Sequence, residues 1–266
     1  MQISGRSILL TGATGGLGRA IASSLARRGA RLVLSARDPD ALGELASSLP
    51  GPGHEVAAAD LAEPGAAAAL AGRAGDVDVL VANAGLPATG RLEDFTAEQV
   101  QRALRVNLES PMLLARALLP GMLGRGAGHL VFVASLSGKI PSPRTSVYNA
   151  TKFGLRGFAL GLRADLSGTG VGSSIVSPGF VREAGMFADS GAKAPPGLGT
   201  ASPDQVGDAV VRAIENDRVE VAVAPPAQRA LAHLGLSSPR LAVLTTSSRA
   251  GRKAASDLAA GQVGKR

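Results

Sequence analysis

The feature that most restricts this chain is a glycine-rich turn, Thr11-Gly12-Ala13-Thr14-Gly15-Gly16-Leu17-Gly18. It stands between an apolar run at Ser7–Leu10 and a helical pattern over Gly16–Arg28 that closes at Gly29. The run before it is continuous rather than alternating, as in a strand covered on both faces. Glycines let the chain reverse tightly and let another group approach the backbone with no side chain between. The helix that follows offers unpaired N–H groups and a positive dipole end. Many glycine turns bind nothing. In a strand–turn–helix context, however, this one reads as a cradle for the pyrophosphate of a dinucleotide, with Gly12, Thr14, Gly16, Leu17 and Gly18 as contacts.

Further apolar runs lie at Arg31–Ser35, Glu55–Ala59, Val77–Val81, Leu130–Ala134, Gly172–Val176 and Val219–Ala224, with helical stretches between them. That alternation predicts an α/β fold: a Rossmann-type doubly wound parallel sheet in three α/β/α layers. Right-handed crossovers would put the site at the carboxyl ends of the strands. The 266 residues suffice for one large domain, assigned to 1–226. Residues 183–202, rich in Gly, Pro, Ala and Ser and carrying Met186 and Phe187, read as a lid. Ser202-Pro203 then opens a helix running to about Glu215. Residues 227–266 form a separate basic extension, expected to be helical and peripheral.

Charge sorts the partner classes. The net charge is +7, and seven basic residues after Gln228 (Arg229, Arg240, Arg249, Arg252, Lys253, Lys265 and Arg266) face a single acid, Asp257. The body is therefore nearly neutral, which argues against a nucleic-acid surface. The tail is either a solvated end or a patch for an anionic surface. Cysteine is absent, which removes disulfides and thiolate chemistry, and no metal site is expected. The opening residues lack a signal-peptide core, so a cytoplasmic location is expected.

Four positions carry chemistry. Tyr148 and Lys152 are four residues apart where a helix begins, which puts them on one face. An ammonium beside a phenol favours the phenolate and should pull its pKa down from about 10. Ser135 follows the Leu130–Ala134 run, where a substrate would lie, and a hydroxyl there can donate to a developing alkoxide. It also suits a simple strand cap. Thr96-Ala97-Glu98-Gln99 is a capping box opening a helix whose buried stripe would run Val100, Ala103, Leu104, Asn107 and Leu108. Pro111 cannot donate to the carbonyl of Asn107, so that oxygen is free either to hold a water near Lys152 or simply to mark a kink. At the end of the second run stands Arg37 rather than a carboxylate. Its guanidinium suits a ribose 2′-phosphate, unless it is only a loop arginine facing solvent.

Together with Asp60-Leu61, Asn83-Ala84-Gly85 and Ser177-Pro178-Gly179-Phe180-Val181, these residues resemble the single-domain short-chain dehydrogenase/reductases over about residues 5–225. The thirteen-residue step from Ser135 to Tyr148 is typical of that family. The resemblance implies a catalytic set of Asn107, Ser135, Tyr148 and Lys152. It places Asp60 and Leu61 by the adenine and Asn83, Ala84 and Gly85 by the adenosine ribose. Pro178, Gly179 and Val181 fall by the nicotinamide, with Tyr148 and Lys152 also at the cofactor. It further implies NADP(H) in preference to NAD(H), a small carbonyl or alcohol substrate, and a homodimer or homotetramer. Glu183 departs from the pattern where many members carry threonine. The competing readings are a silent NADP(H)-binding regulator or scaffold and a sugar-nucleotide epimerase or dehydratase, for which the chain leaves little room.

Overall fold

The computed structural model describes residues 1–265. Seven strands form one parallel sheet: β1 (Ser7–Thr11), β2 (Arg31–Ser35), β3 (Glu55–Val56), β4 (Val79–Ala82), β5 (Gly128–Val133), β6 (Val171–Pro178) and β7 (Glu220–Val223). Their spatial order is β3-β2-β1-β4-β5-β6-β7, so the winding reverses between β1 and β4 and opens a crevice at their carboxyl ends. The continuous apolar runs are explained by two cores. Ile8 and Leu10 pack on one face with α1 (Gly16–Ala26), α2 (Pro39–Ser48) and α7 (Pro203–Glu215). Leu9 faces the other way onto α3 (Ala66–Ala74), α5 (Ser110–Arg125) and α6 (Ser146–Asp165). With both faces buried, neither can be polar.

The third strand is shorter than expected, two residues at the sheet edge, because past Val56 only isolated main-chain bonds such as Ala57 N to Leu34 O continue the pairing. Helix α4 (Ala97–Leu104) begins with the expected capping box, in which Thr96 and Gln99 bond reciprocally. Between it and α5 the chain makes a π-turn over Arg105–Glu109, where Ser110 N–H reaches back to Arg105 O. The extra residue in that turn rotates the buried face. Leu104, expected inside, is exposed, and Val106 is buried in its place.

Residues after Pro225 fold into α8 (Pro226–Ser237), α9 (Pro239–Thr246) and α10 (Arg249–Ala260). Arg229, Arg240, Arg249, Arg252 and Lys253 lie on their exposed surface; Arg266 is outside the described residues. Among the described residues no helix is long and apolar enough to cross a membrane.

Candidate active site

The glycine turn is held from beneath. Thr11 Oγ1 accepts from the N–H groups of Asn83 (3.1 Å) and Ala84 (3.0 Å), and Asn83 Nδ2 donates to the carbonyls of Thr11 and Gly12. Gly12 has φ +65° and a Cβ there would lie 2.8 Å from Ala84 Cα. At Gly18 a Cβ would come within 2.0 Å of Gly12 O, so only hydrogen fits between the helix and the turn. Thr14 gives its carbonyl to Arg19 Nε at 3.1 Å. No side chain caps the amino end of α1, which leaves its N–H groups open for an anion. A dinucleotide pyrophosphate therefore has a fitting cradle in these residues. The start of the 183–202 segment rests on it: a Cβ at Gly16 would meet Ala184 Cβ at 2.5 Å, and Gly185 packs on Leu17.

At the end of β2, Asp38 spends its carboxylate capping α2, accepting from Asp40 N and Ala41 N. Arg37 beside it is exposed and in no ion pair among the described residues. Asp60 closes its own turn by accepting from Ala62 N, and the carbonyl of the buried Leu61 takes the Ser110 hydroxyl.

A cavity of about 460 Å³ opens at the carboxyl ends of β4, β5 and β6. Leu17, Asn83, Gly85, Ser135, Tyr148, Lys152, Pro178, Gly179 and Val181 all reach its wall, whereas Arg37, Asp60 and Leu61 lie beyond it. Ser135 is extended (φ −170°) and its hydroxyl accepts from Ser137 N (3.1 Å) and donates to Pro178 O (3.4 Å). Lys152 is buried, donates to Val133 O at 3.1 Å, and has Nζ 5.7 Å from the centre of the Tyr148 ring. Asn107 is fully buried: Oδ1 accepts from Leu86 N (2.7 Å), and Nδ2 donates to Leu86 O (2.9 Å) and to the Thr151 hydroxyl on α6 (3.4 Å).

The electrostatics correct one expectation. In this state burial pushes the Tyr148 phenol up to about 12, only partly opposed by its hydrogen bond to Ser135. Burial likewise pulls Lys152 down to about 8. Lys152 Nζ is bonded to Val133 O and stands 5.7 Å from the ring centre, so desolvation of the phenol outweighs any help from that charge.

Sequence patterns missed the groups that hold this set together. Asn149, next to Tyr148, is buried and donates to Ser137 O (2.6 Å) and Ile140 O (3.2 Å), lashing the Ser135 turn to α6. Thr145 hydrogen-bonds the same side chain. Further along, Glu220 of β7 binds Lys139 (3.0 Å) and Arg156 (3.1 Å) and accepts from the Ser177 hydroxyl (3.0 Å). Lys139 ends the Ser135 turn and Arg156 stands one helical turn past Lys152. One carboxylate thus ties the Ser135 turn and α6 to the sheet. A lone Lys or Glu in a sequence carries no sign of such a partner; the only available signal was the polar Asn149 between Tyr148 and Lys152.

The comparisons agree with this geometry. The family model for short chain dehydrogenases matches residues 6–195. The ketoacyl reductase HetN of Nostoc sp. is 37% identical over 227 residues, covering 83% of this chain and 79% of that protein. The 1-deoxy-11-beta-hydroxypentalenate dehydrogenase of Streptomyces exfoliatus is 36% identical over 230 residues, 82% of each chain. Among solved structures, a short-chain dehydrogenase from Sphingobium yanoikuyae in complex with NADPH superposes with TM-score 0.76 at 31% identity, covering 92% of this chain and 96% of that one. The fold, the glycine cradle and these relatives converge on one conclusion: the chain belongs to the short-chain dehydrogenase/reductase family of oxidoreductases.

Proposed function

We propose that the protein is an NADP(H)-dependent carbonyl reductase or alcohol dehydrogenase in which Tyr148 gives or takes the hydroxyl proton. The observation that carries this is the meeting of Ser135, Tyr148 and Lys152 on one cavity wall, beside a glycine cradle with an uncapped helix end. The bound nicotinamide supplies or accepts the hydride. The rest falls to the chain. Gly12, Thr14, Gly16, Leu17 and Gly18 bind the pyrophosphate. Asp60 and Leu61 flank the adenine, and Asn83, Ala84 and Gly85 the adenosine ribose. Pro178, Gly179 and Val181 would orient the nicotinamide, and Lys152 would hold its ribose. Arg37 holds the 2′-phosphate, since the carboxylate that would favour NAD is committed to its cap. Ser135 donates to the substrate oxygen and Tyr148 exchanges the proton. Asn107, whose carbonyl receives no N–H from Pro111, holds a water that refills Lys152.

Assembly is proposed as a homodimer or homotetramer through α5 and α6. Met112, Leu113 and Phe153 are exposed there, and Gly157 and Gly161 leave open space. The test of function is direct: purified protein is screened for NADPH oxidation with aldehydes, ketones and quinones, counting one alcohol per NADPH. Arg37→Ala should weaken NADPH binding at least tenfold and leave NADH binding unchanged. Inertness across the panel with tight NADPH binding would favour the silent-scaffold reading instead.

A further inference from the structure

The cavity has a second wall, built by the C-terminal helices. Leu231 of α8, Thr246 of α9 and Ala254, Ala255 and Leu258 of α10 all face it. Two buried glutamines fasten that wall to the lid. Gln228 accepts from Phe180 N (3.1 Å) and donates to Leu198 O and Gly199 O. Gln262 accepts from the Thr89 hydroxyl (2.5 Å) and donates to Met186 O (2.8 Å). Every polar atom of both amide heads is thereby spent on fastening; between them Leu231, Ala254, Ala255 and Leu258 are aliphatic, and the hydroxyls of Thr245, Thr246 and Ser248 are engaged by their own backbone. The base of the lid is also zipped shut, with Ala201 N bonded to Phe180 O and Arg182 N to Ala201 O. Among the described side chains lining the cavity, Lys152 alone bears a charge, and it already belongs to the proposed catalytic set.

We propose that this chamber selects an uncharged, mainly aliphatic ketone or the matching secondary alcohol, with α8–α10 clasping the chain that trails from the reacting carbon. The proposal rests on the reading of the site as an NADP(H) oxidoreductase and names its substrate class. An apolar wall gains with every methylene it removes from water, about fourfold in kcat/KM for each. A carboxylate or phosphate carried into the same wall would lose its hydration and meet no counter-charge. The chamber thus discriminates twice, by length and by charge.

The experiment uses the full chain with NADPH and methyl ketones from butan-2-one to decan-2-one, together with 9-oxodecanoate, the long ketone with a terminal carboxylate. The proposal predicts a rise of about fourfold per methylene until the chamber is full, and a rate constant for 9-oxodecanoate at least a hundredfold below that of decan-2-one. Ala254→Phe should cut kcat/KM for decan-2-one at least tenfold more than it cuts that for butan-2-one. Leu258→Ala should shift the best substrate to a longer chain, so a misfolded Ala254→Phe would not end the test. Equal rates across lengths, or 9-oxodecanoate reacting as well as decan-2-one, would overturn the chamber and leave the oxidoreductase reading intact. If no ketone turns over, thermal-shift binding of the same series decides. Stabilisation that grows with chain length supports the chamber and sinks the proposed reaction, whereas length-independent binding overturns the chamber.

Discussion

Replacing Glu220 with glutamine removes one charge and little volume, so it isolates what the carboxylate does. Its side chain is 15% exposed, and its partner Lys139 only 7%. The amide could still accept from Ser177, but Lys139 and Arg156 would keep their charges in a nearly closed space. Breaking a buried pair from one side costs about 3–5 kcal/mol, and the 21% exposure of Arg156 puts this case at the lower end, about 3 kcal/mol. Unfolding entropy of about 2.1 cal/mol/K per residue amounts to about 0.56 kcal/mol/K for this chain, so Tm should fall by about 5 °C. The pair Lys253–Asp257, 76% and 45% exposed, is the internal control, and Asp257→Asn should cost less than about 0.5 kcal/mol.

The effect has a defined pH window. Burial alone would push the Glu220 carboxyl up, but hydrogen bonds from Arg156 and Lys139 outweigh it and hold it below the ordinary range. A carboxylate with a depressed folded pKa contributes above its unfolded value, about 4.3, and loses that contribution as pH falls through the folded value. The gap between wild type and Glu220→Gln should therefore be full at pH 7 and close below about pH 4. Thermal and urea unfolding of both proteins, with Lys139→Met and the double variant completing a cycle, measure it. A Tm change under about 1 °C, or strict additivity of the two substitutions, would refute the clamp.

Three other outcomes follow from the same physics. Lys152→Met should abolish turnover yet stabilise the ligand-free protein by about 2–3 kcal/mol at pH 7, because burial lowers this lysine to about 8. Melts should show that gain shrinking as pH rises from 8 towards 10.5, where the unfolded lysine also loses its proton. His129, pulled down to about 4 by burial and bonded to Ser174 at 2.8 Å, must charge when the chain unfolds in acid. Stability should fall by about 3 kcal/mol between pH 6.5 and 4, and His129→Gln should flatten that limb in an acid titration. Gly18→Ala, whose new methyl would press on Gly12 O, should cost about 1–3 kcal/mol and weaken NADPH binding by calorimetry.

The parts of the fold that were readable obey local rules. Strands buried on both faces are apolar throughout, so β1, β2 and β5 stood out as runs, and the caps at Thr96 and Ser202 announced their helices. Pro111 marks the break in the helix ladder but not the π-turn that absorbs it, because rotation of a face depends on what lies opposite. The C-terminal extension was read as a basic end. Arg229, Arg240, Arg249, Arg252 and Lys253 are on the surface, but the extension's inner face closes the cavity through Gln228 and Gln262, and contacts spanning 48 and 173 residues leave no local pattern. Tyr148 and Lys152 were legible as a pair, whereas their proton affinities were not, since those depend on how much water the finished cavity admits.

The central claim is that the Tyr148 hydroxyl moves a proton while the rest of the site binds and aligns. Its most direct measurement is Tyr148→Phe, compared with wild type for NADPH affinity by fluorescence titration and for single-turnover reduction of a reactive ketone. The account predicts unchanged NADPH affinity and a rate lowered by about 10²–10⁴-fold. A variant that reduces the ketone at the wild-type rate would contradict it.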